Sequence, residues 1–445
     1  MSRESWFGSL FARSHRSAPC GRQSRLAFEP LEQRTLLTTL TVDIGDPTAN
    51  DPGDNLYAQI SEAVAAASPG DKIKVHAGTY NPFVVNTDNL TIREARRNSN
   101  PVVDGDLNPG GENGVEVNAN GVTIKGLTVQ NASGSVLNGN GFLVTGDNNT
   151  LTGNTASGNE SRSSFGGNGF LVAGDNNTLT GNTGSGNGSD GFTLRLSDDN
   201  TFKGNTASGN GGDGFTLVVS RDNTLKGNTA SNNSGDGFYL VGVDSDGNTL
   251  KGNTASDNGQ NGFRLSLSDG NTLKGNRASD NGFDGFILVS SIGNTLKGNT
   301  ASGNAGNGFA LSFFSIPFPV PFPVPPSTGN TLTGNTAIGN GGNGFALSDG
   351  STGNMLTRNR AVHNSGDGFR VDDSDNNIFE HNWAMFNQGN GFALAGGSDN
   401  NTLERNRAFL NDGYGILVDA VMANLFENNF CLFNGLGGSN QPGIC

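Results

Sequence analysis

A period of about 23 residues runs through most of this 445-residue chain and constrains the fold more than any other feature. The words GDGFTLVVSRDNTLKGNTASNNS and GDGFYLVGVDSDGNTLKGNTASDN follow one another directly from Gly212. A large apolar residue recurs mostly every 22–25 residues, at Phe142, Phe170, Phe192, Phe215, Phe238, Phe263, Phe286, Phe309, Phe345, Phe369, Phe392 and Ile416. A Leu or Val follows two residues later, and this alternation predicts a half-buried strand.

Two further short strands complete each repeat. The word NTLKGN places an inward residue at Leu225 and its equivalents, and the next strand has a small one such as Ala230. Three strands and three turns in about 23 residues are typical of one coil of a β-solenoid. An elongated repeat protein needs only a thin core, which explains how 33% apolar residues suffice.

Asparagine recurs at three places in each repeat, as at Asn223, Asn228 and Asn233. Asn tolerates the left-handed backbone of tight turns, as Gly does. In stacked coils, ~4.8 Å apart, the amides would hydrogen-bond as ladders between apolar columns. The sequence therefore predicts an all-β fold, a parallel β-helix with three short strands per coil.

The segment DNLYAQISEAVAAASPGDKIKVHAGTY, residues 54–80, predicts an amphipathic helix with Leu56, Ile60 and Val64 on one face, then a turn and a strand. It resembles the N-terminal cap of the right-handed parallel β-helix superfamily, and the later repeats resemble its NosD-type and pectate-lyase-like members. The resemblance spans about residues 41–434 and implies a right-handed helix. It implies little about activity, because such coils carry lyases, epimerases, glycosidases and proteins without known chemistry.

Four regions follow from this interpretation. They are a basic leader (1–40), an N-terminal cap with the first coils (41–110), regular coils (111–434) and a C-terminal tail (435–445). Within the leader, RLAFEPLEQRTLL resembles the Leu-Glu-Pro-Arg-type leader of exported proteins of budding bacteria. That resemblance implies a secreted, periplasmic or cell-surface bacterial protein, and the alternative is a disordered basic tail.

The charge balance narrows the range of partners. The net charge is -14, and the acidic body after the leader argues against nucleic acid as a partner. With only three Cys and four His, the chain has too few soft ligands for a metal centre to be its main function. No apolar run is long enough for a transmembrane segment.

A stripe of lysines follows the second strand of five consecutive coils, at Lys203, Lys226, Lys251, Lys274 and Lys297. These ammonium groups repel one another unless solvent or a partner screens them. One interpretation is a binding track for an anionic polysaccharide, whose sugar repeat is of similar length. The other is a solvated face that prevents sheet association.

The repeats degenerate in residues 354–419. The Gly of LKGN becomes Arg358, His381 and Arg405, while the Lys position becomes Glu380, Glu404 and Glu427. A lyase or epimerase of uronic acids needs a base beside the carboxylate and a cation to neutralise it. The three former residues are therefore candidate catalytic groups, and Asp372, Asp373 and Asp375 are candidate calcium ligands. The alternative is a row of surface ion pairs.

Two other segments stand apart from the repeat. A Pro-rich insertion at residues 312–328, SFFSIPFPVPFPVPPST, interrupts one turn and should leave the neighbouring coils stacked. Cys431 falls in the small-residue column, and a disulfide with Cys445 would tie down the C-terminal end in an oxidising compartment.

Two functions remain open from the sequence. The first is an exported carbohydrate-binding or structural protein. The second is a polysaccharide lyase or C5-epimerase acting on uronic acid polymers. The Asp-Pro-His-Asp/Glu word of the alginate epimerases and the paired Asp words of the polygalacturonases are missing, which favours the first.

Overall fold

The computed structural model describes residues 37–50, 54–107, 113–134, 138–161, 166–313, 325–419 and 423–445. These residues form a parallel β-helix whose coils each contribute a strand to three long sheets. The fold class is therefore confirmed. Residues 1–36, which hold most of the predicted leader, lie outside the described part.

Sheet 1 contains the strands with the central Leu of the NTLKGN words, and every pairing between its strands is parallel. Its strands are Thr39–Val42, Leu56–Tyr57, Lys72–Val75, Thr91–Glu94, Thr123–Lys125, Thr150–Thr152, Thr178–Thr180, Thr201–Lys203, Thr224–Lys226, Thr249–Lys251, Thr272–Lys274, Thr295–Lys297, Thr331–Thr333, Met355–Thr357, Ile378–Glu380, Thr402–Glu404 and Leu425–Glu427.

Sheet 2 follows sheet 1 in each coil and buries the small residue, as at Ala230. Its strands are Thr79–Tyr80, Val102–Asp104, Thr128–Gln130, Thr155–Ser157, Thr183–Ser185, Thr206–Ser208, Thr229–Ser231, Thr254–Ser256, Arg277–Ser279, Thr300–Ser302, Thr336–Ile338, Arg360–Val362, Trp383–Met385, Arg407–Phe409 and Phe430–Leu432. The short strands Ser133–Gly134 and Glu160–Ser161 pair separately beside it.

Sheet 3 completes the coil with the Phe-x-Leu strands. Its strands are Phe83–Val85, Val115–Val117, Phe142–Val144, Phe170–Val172, Phe192–Arg195, Phe215–Val218, Phe238–Val241, Phe263–Ser266, Phe286–Val289, Phe309–Ser312, Phe345–Leu347, Phe369–Asp372, Phe392–Ala395, Tyr414–Val418 and Gly437–Ser439.

Phenylalanine stacks continuously through the core. From Phe142 to Phe392, successive rings of sheet 3 lie nearly parallel with centroids 4.7–4.8 Å apart. The stack crosses the Pro-rich insertion, because Phe309 pairs in register with Phe345. The coils on either side of the insertion therefore stack as predicted, while residues 314–324 lie outside the described part.

The three Asn positions form buried ladders, as predicted. The side chain of Asn228 accepts from the backbone N–H of Asn205 (2.8 Å) and donates to the side chain of Asn253 (3.1 Å) and to the carbonyl of Phe202 (3.0 Å). The amide of Asn228 thus binds the coils on both sides, as most ladder amides do.

The expectation that these Asn residues themselves adopt the left-handed backbone was wrong. The left-handed residue at each corner is the one before the ladder Asn: Asp222 (φ 53°), Gly227 (φ 64°) and Asn232 (φ 56°) precede Asn223, Asn228 and Asn233. The ladder position requires Asn for its hydrogen-bonding groups, whereas the preceding position requires tolerance of positive φ.

A fourth polar column lies in the turn before sheet 3, where the Asp of the GDGF word stands. Asp190, Asp213 and Asp236 occupy it in consecutive coils, and each of the first two accepts the backbone N–H of the next (2.8 and 2.5 Å). Burial raises the pKa of all three, and the neighbouring Asp190 and Asp236 charges help to raise that of Asp213 to about 8. Asn occupies the same column at Asn261.

The N-terminal helix is shorter than predicted. It spans Ile60–Ala66, and Leu56 lies in a strand instead. Asp54 accepts the backbone N–H of Leu56 (2.8 Å), and that strand pairs with Thr39–Val42, so the helix starts after it. The helix packs against the first strands with Ile60 and Val64 buried, as expected of a cap.

Three features hold the C-terminal end against the last coils. Cys431 and Cys445 form a disulfide, a pairing that the sequence left open, and Cys431 lies in register with Ala408 of the small-residue column. Ile444 is buried against the end of the core. Residues 437–439, within the segment predicted as a tail, add a strand to sheet 3.

Replacing one ladder amide should destabilise the whole stack. We expect Asn228→Ala to lower the free energy of unfolding by about 2–5 kcal/mol, because it leaves the Asn205 N–H buried without a partner and removes the bonds that the amide donates to Asn253 and to the Phe202 carbonyl. Thermal and urea unfolding followed by circular dichroism would measure this. The exposed Ser234→Ala in the same coil is the control, and equal effects of the two variants would contradict the prediction.

The Asp column should make stability depend on pH. Because folding raises the pKa of Asp213, its stabilising contribution is complete below the pKa of about 4 expected in the unfolded chain and is lost as pH rises towards 8. At pH 8 we expect Asp213→Asn to be more stable than the parent, by about 2 kcal/mol or more in the free energy of unfolding. Near pH 4 the two proteins should have the same free energy of unfolding. Unfolding curves at several pH values would show this. The exposed Asp257→Asn removes the same charge and should not reproduce the effect.

Candidate functional site

The outward face of sheet 2 changes character in the last four coils. In the regular coils this face shows Thr and Ser, as at Thr229 and Ser231. In the last four coils the first outward position becomes Arg360, Trp383, Arg407 and Phe430, and the second becomes Val362, Met385, Phe409 and Leu432. We call residues 358–363, 381–386, 405–410 and 428–433 the C-terminal face.

Trp383 is the centre of the first outward column. The guanidinium carbon of Arg407 lies 5.1 Å from the centroid of its ring and that of Arg360 lies 5.9 Å away. Parallel pairing holds the three side chains in adjacent coils. The indole is thus flanked by two cations, and all three side chains remain exposed.

Arg358, His381 and Arg405 line the corner between sheets 1 and 2, one per coil. All three have left-handed backbones (φ 56°, 55° and 52°). In the regular coils the same position is Gly, with open space where a Cβ would point, as at Gly227. A non-Gly residue in this conformation costs about 1–2 kcal/mol, so the fold does not require these side chains.

A row of carboxylates lies beside this corner on sheet 1. The Nη1 atom of Arg405 is 2.5 Å from Glu404, and the Nδ1 atom of His381 is 3.1 Å from Glu380, although that contact lacks hydrogen-bonding geometry. Both pairs are partly exposed to solvent, so they contribute little to stability.

Together these side chains form an open groove of about 870 Å³. Its lining combines the predicted catalytic residues Arg358, His381 and Arg405 with the column around Trp383, together with Asn406, Phe409, Asn428 and Phe430. The structure therefore brings the three predicted residues together. The groove presents four guanidinium groups, one imidazole and aromatic surface to a ligand.

A second bulky column borders the face at the corner between sheets 2 and 3. His363, Phe386, Leu410 and Phe433 all have positive φ (52–57°) where regular coils have Gly, Asn or Asp. The imidazole of His363 stacks on Phe386 at 5.0 Å, and Phe433 is 73% exposed. Large side chains at such positions carry a conformational cost, which the regular coils also accept at Leu196, Val219 and Leu267, so the fold does not require them here.

The sequence interpretation missed Trp383, Phe409, Phe430 and this apolar border. A signal for them was present, because the Thr-Ala-Ser word of sheet 2 becomes RAV, WAM, RAF and FCL in these coils. Only the central residue of that word was used to predict the core. Its outward neighbours Arg360, Trp383, Arg407, Phe409 and Phe430 line the groove.

The predicted calcium ligands lie elsewhere and have separate partners. Asp372, Asp373 and Asp375 stand at the end of a sheet 3 strand and in the turn towards sheet 1. Asp372 pairs with Arg370 (3.2 Å), and Asp375 accepts the backbone N–H of Asp399 (2.7 Å). Across the described ranges, no three His, Cys, Asp or Glu side chains converge as a metal site.

The five lysines stand in one exposed column on sheet 1, each in register with the next. None of them forms an ion pair within the described part of the chain. They precede the groove along the axis, with Thr333 and Thr357 in between. Their predicted role in substrate binding stays a prediction.

Removing a bulky residue from a left-handed position should not harm the fold. We expect Leu410→Gly to keep or raise the free energy of unfolding, by up to about 1 kcal/mol, because Gly adopts φ 52° without steric cost. Chemical unfolding would measure it against Thr402→Gly, an extended strand position in the same coil that should lose stability. If both variants lose stability equally, Leu410 serves the fold and not the surface.

A family model and several solved structures match this fold. The family model described as right handed beta helix region matches residues 113–245, 241–354 and 321–431. The A-module of the Azotobacter vinelandii mannuronan C-5 epimerase AlgE4 is similar in structure, with 18% identity over 68% of this chain and 88% of that one and a TM-score of 0.56. The pectate lyase Pel9A aligns with 19% identity over 63% of this chain and 77% of its own, at a TM-score of 0.45.

The remaining comparisons add little beyond the fold. The periplasmic alginate epimerase AlgG covers 81% of this chain and 85% of its own at 15% identity, with a TM-score of 0.42. No curated protein sequence matches significantly. Within the described ranges, no helix is long and apolar enough to cross a membrane. Since the family model matches more than half of this chain, the chain belongs to the right-handed β-helix family.

Proposed function

We propose that the protein binds an acidic polysaccharide, a polymer of uronic acids, in the groove of the C-terminal face. The observation that carries this proposal is Trp383 lying between Arg360 and Arg407, with Arg358, His381 and Arg405 beside it. The part of the indole left exposed between the two guanidinium groups offers apolar contact to a sugar ring, and guanidinium groups pair with carboxylates in bidentate geometry.

The spacing of the groove suits a chain ligand. Successive Arg and His side chains repeat with the coil spacing of ~4.8 Å, which is similar to the length of one sugar residue. A polyuronate lying along the solenoid axis would present one carboxylate to each coil. The similarity in fold to a mannuronan epimerase supports this choice of ligand class.

The groove is a better location for the sugar than the Lys column. The lysines stand on a flat sheet, where an ammonium group provides charge without shape, whereas the groove adds aromatic surface and a concave wall.

Turnover of the bound polymer is a second candidate function, favoured by the position of His381 between Arg358 and Arg405. A neutral imidazole could remove the proton beside the uronate carboxylate while the two guanidinium groups stabilise the charge that develops. Delivery of a proton from solvent to the opposite face of that carbon would give the epimer. Cleavage of the bond between C4 and the glycosidic oxygen, with the leaving oxygen taking up the proton held by the imidazolium, would instead give an unsaturated end.

Export is the location that we propose for this function. The disulfide between Cys431 and Cys445 suits an oxidising compartment. An extracellular or periplasmic position would also give the groove access to polymers outside the cell. The leader resemblance points the same way, although its residues lie largely outside the described ranges.

The test compares two arginines in the same column of sheet 2. We expect Trp383→Ala and Arg407→Ala each to weaken binding of polyuronate oligomers at least about tenfold, or about 1.4 kcal/mol, as measured by isothermal titration calorimetry. Arg277 stands in that column among the regular coils, away from the groove, and Arg277→Ala should bind like the parent. Weakening by all three variants alike would mean nonspecific charge attraction and would contradict the proposal.

The same preparations distinguish binding from turnover. New ultraviolet absorbance from unsaturated ends, or a changed proton spectrum of the polymer, would reveal a lyase or an epimerase. His381→Ala should then abolish the product and retain binding. Tight binding without product in the parent protein would leave binding as the function.

A further inference from the structure

One outward column of sheet 1 carries opposite charges at its two ends. Parallel register places five lysines in sequence, then Thr333 and Thr357, then three glutamates. The column reads Lys203, Lys226, Lys251, Lys274, Lys297, Thr333, Thr357, Glu380, Glu404 and Glu427. A rigid, evenly spaced array of this kind fits a partner with the same spacing and the reverse order of charges.

A second copy of the chain has both properties. We propose that two copies pair through the outer faces of sheet 1, antiparallel, with the Lys segment of each facing the Glu segment of the other. A two-fold axis in the plane of contact and perpendicular to the solenoid axis reverses the order of coils and keeps each column opposite itself. Parallel pairing would oppose Lys to Lys and is electrostatically unfavourable.

The pairing places a lysine opposite every glutamate in three neighbouring registers. In the central register Lys226 faces Glu427, Lys251 faces Glu404 and Lys274 faces Glu380, and symmetry repeats each pair. A shift by one coil either way still gives every Glu a Lys. Sheets that pack face to face lie ~10 Å apart, a distance that extended Lys and Glu side chains span together.

The adjoining column fits the same arrangement. Sheet 1 also exposes Met355 (42%), Ile378 (39%) and Leu425 (50%), in the coils of Thr357, Glu380 and Glu427. In each of the three registers these side chains meet Thr residues of the same column, such as Thr249 and Thr272, whose methyl groups offer apolar contact. The groove opens towards sheet 2, so such a dimer leaves it accessible.

The contact is only two columns wide, so we expect a micromolar dimer sensitive to salt. The net charge of -14 opposes association at long range. At about 0.1 M salt, however, the screening length of ~10 Å limits that repulsion while desolvated pairs keep their attraction. In about 1 M salt we expect the dimer to dissociate.

Sedimentation equilibrium of the full-length protein, with its disulfide intact, tests the pairing. Lys251 faces a Glu in all three registers, so Lys251→Glu should raise the dimer dissociation constant at least about tenfold. Lys125 stands in the same column beyond the overlap, and Lys125→Glu should leave the constant unchanged. A parent protein that stays monomeric at high micromolar concentration overturns the proposal, as does equal weakening by both variants.

Charge exchange identifies the register. Lys251→Glu would be combined in turn with Glu380→Lys, Glu404→Lys and Glu427→Lys, and one of the three double variants should restore the dimer. Restoration by none of them overturns the antiparallel geometry. If the parent is monomeric and the Lys251→Glu variant loses binding of polyuronate, the column is a polysaccharide track instead.

Discussion

Buried asparagine ladders hold the coils in register, and the rest of the structure depends on that register. At most ladder positions the amide accepts a backbone N–H from the preceding coil, donates to a carbonyl there and donates to the next Asn of the ladder, as at Asn228. Slipping by one residue would bury a group without a partner at three corners per coil. Apolar stacking of Phe and Leu adds burial energy, but apolar contacts alone specify position poorly. Register is therefore chiefly a matter of hydrogen bonds.

A fixed register turns each outward position into a continuous column along the axis. The core columns can stay constant while the outward ones change, because the ladders do not depend on outward side chains. The change is largest in the last four coils, where Thr, Ser and Gly give way to Arg, Trp and Phe. Several of these replacements stand at left-handed positions such as His381 and Leu410. The chain thus accepts local conformational strain where the groove is built, which is typical of functional surfaces.

Charge is organised by the same columns. Lysines and glutamates that lie far apart in sequence become one row with two signs on sheet 1. The buried Asp190, Asp213 and Asp236 form another row, where burial raises the pKa of each carboxyl. The first row faces solvent and can be satisfied by a partner. The second is enclosed: its carboxylates accept backbone N–H bonds from the next coil, and Asn261 occupies the same column without a charge.

The sequence by itself determined the periodic part of this protein. A 23-residue period with Phe, Leu, Ala and Asn at fixed places defines three strands, the core columns, the ladders and the place of Cys431, because coil-to-coil neighbours follow directly from the period. Only the tertiary structure decided the backbone conformation at each corner and which side chains meet there. It showed that the residue before each ladder Asn is left-handed, and that Arg358, His381 and Arg405 share a groove with Trp383. It also separated Asp372, Asp373 and Asp375 from that groove. The period gives neighbours along the axis, but only the bend of the backbone at each corner determines which columns of different sheets face the same space.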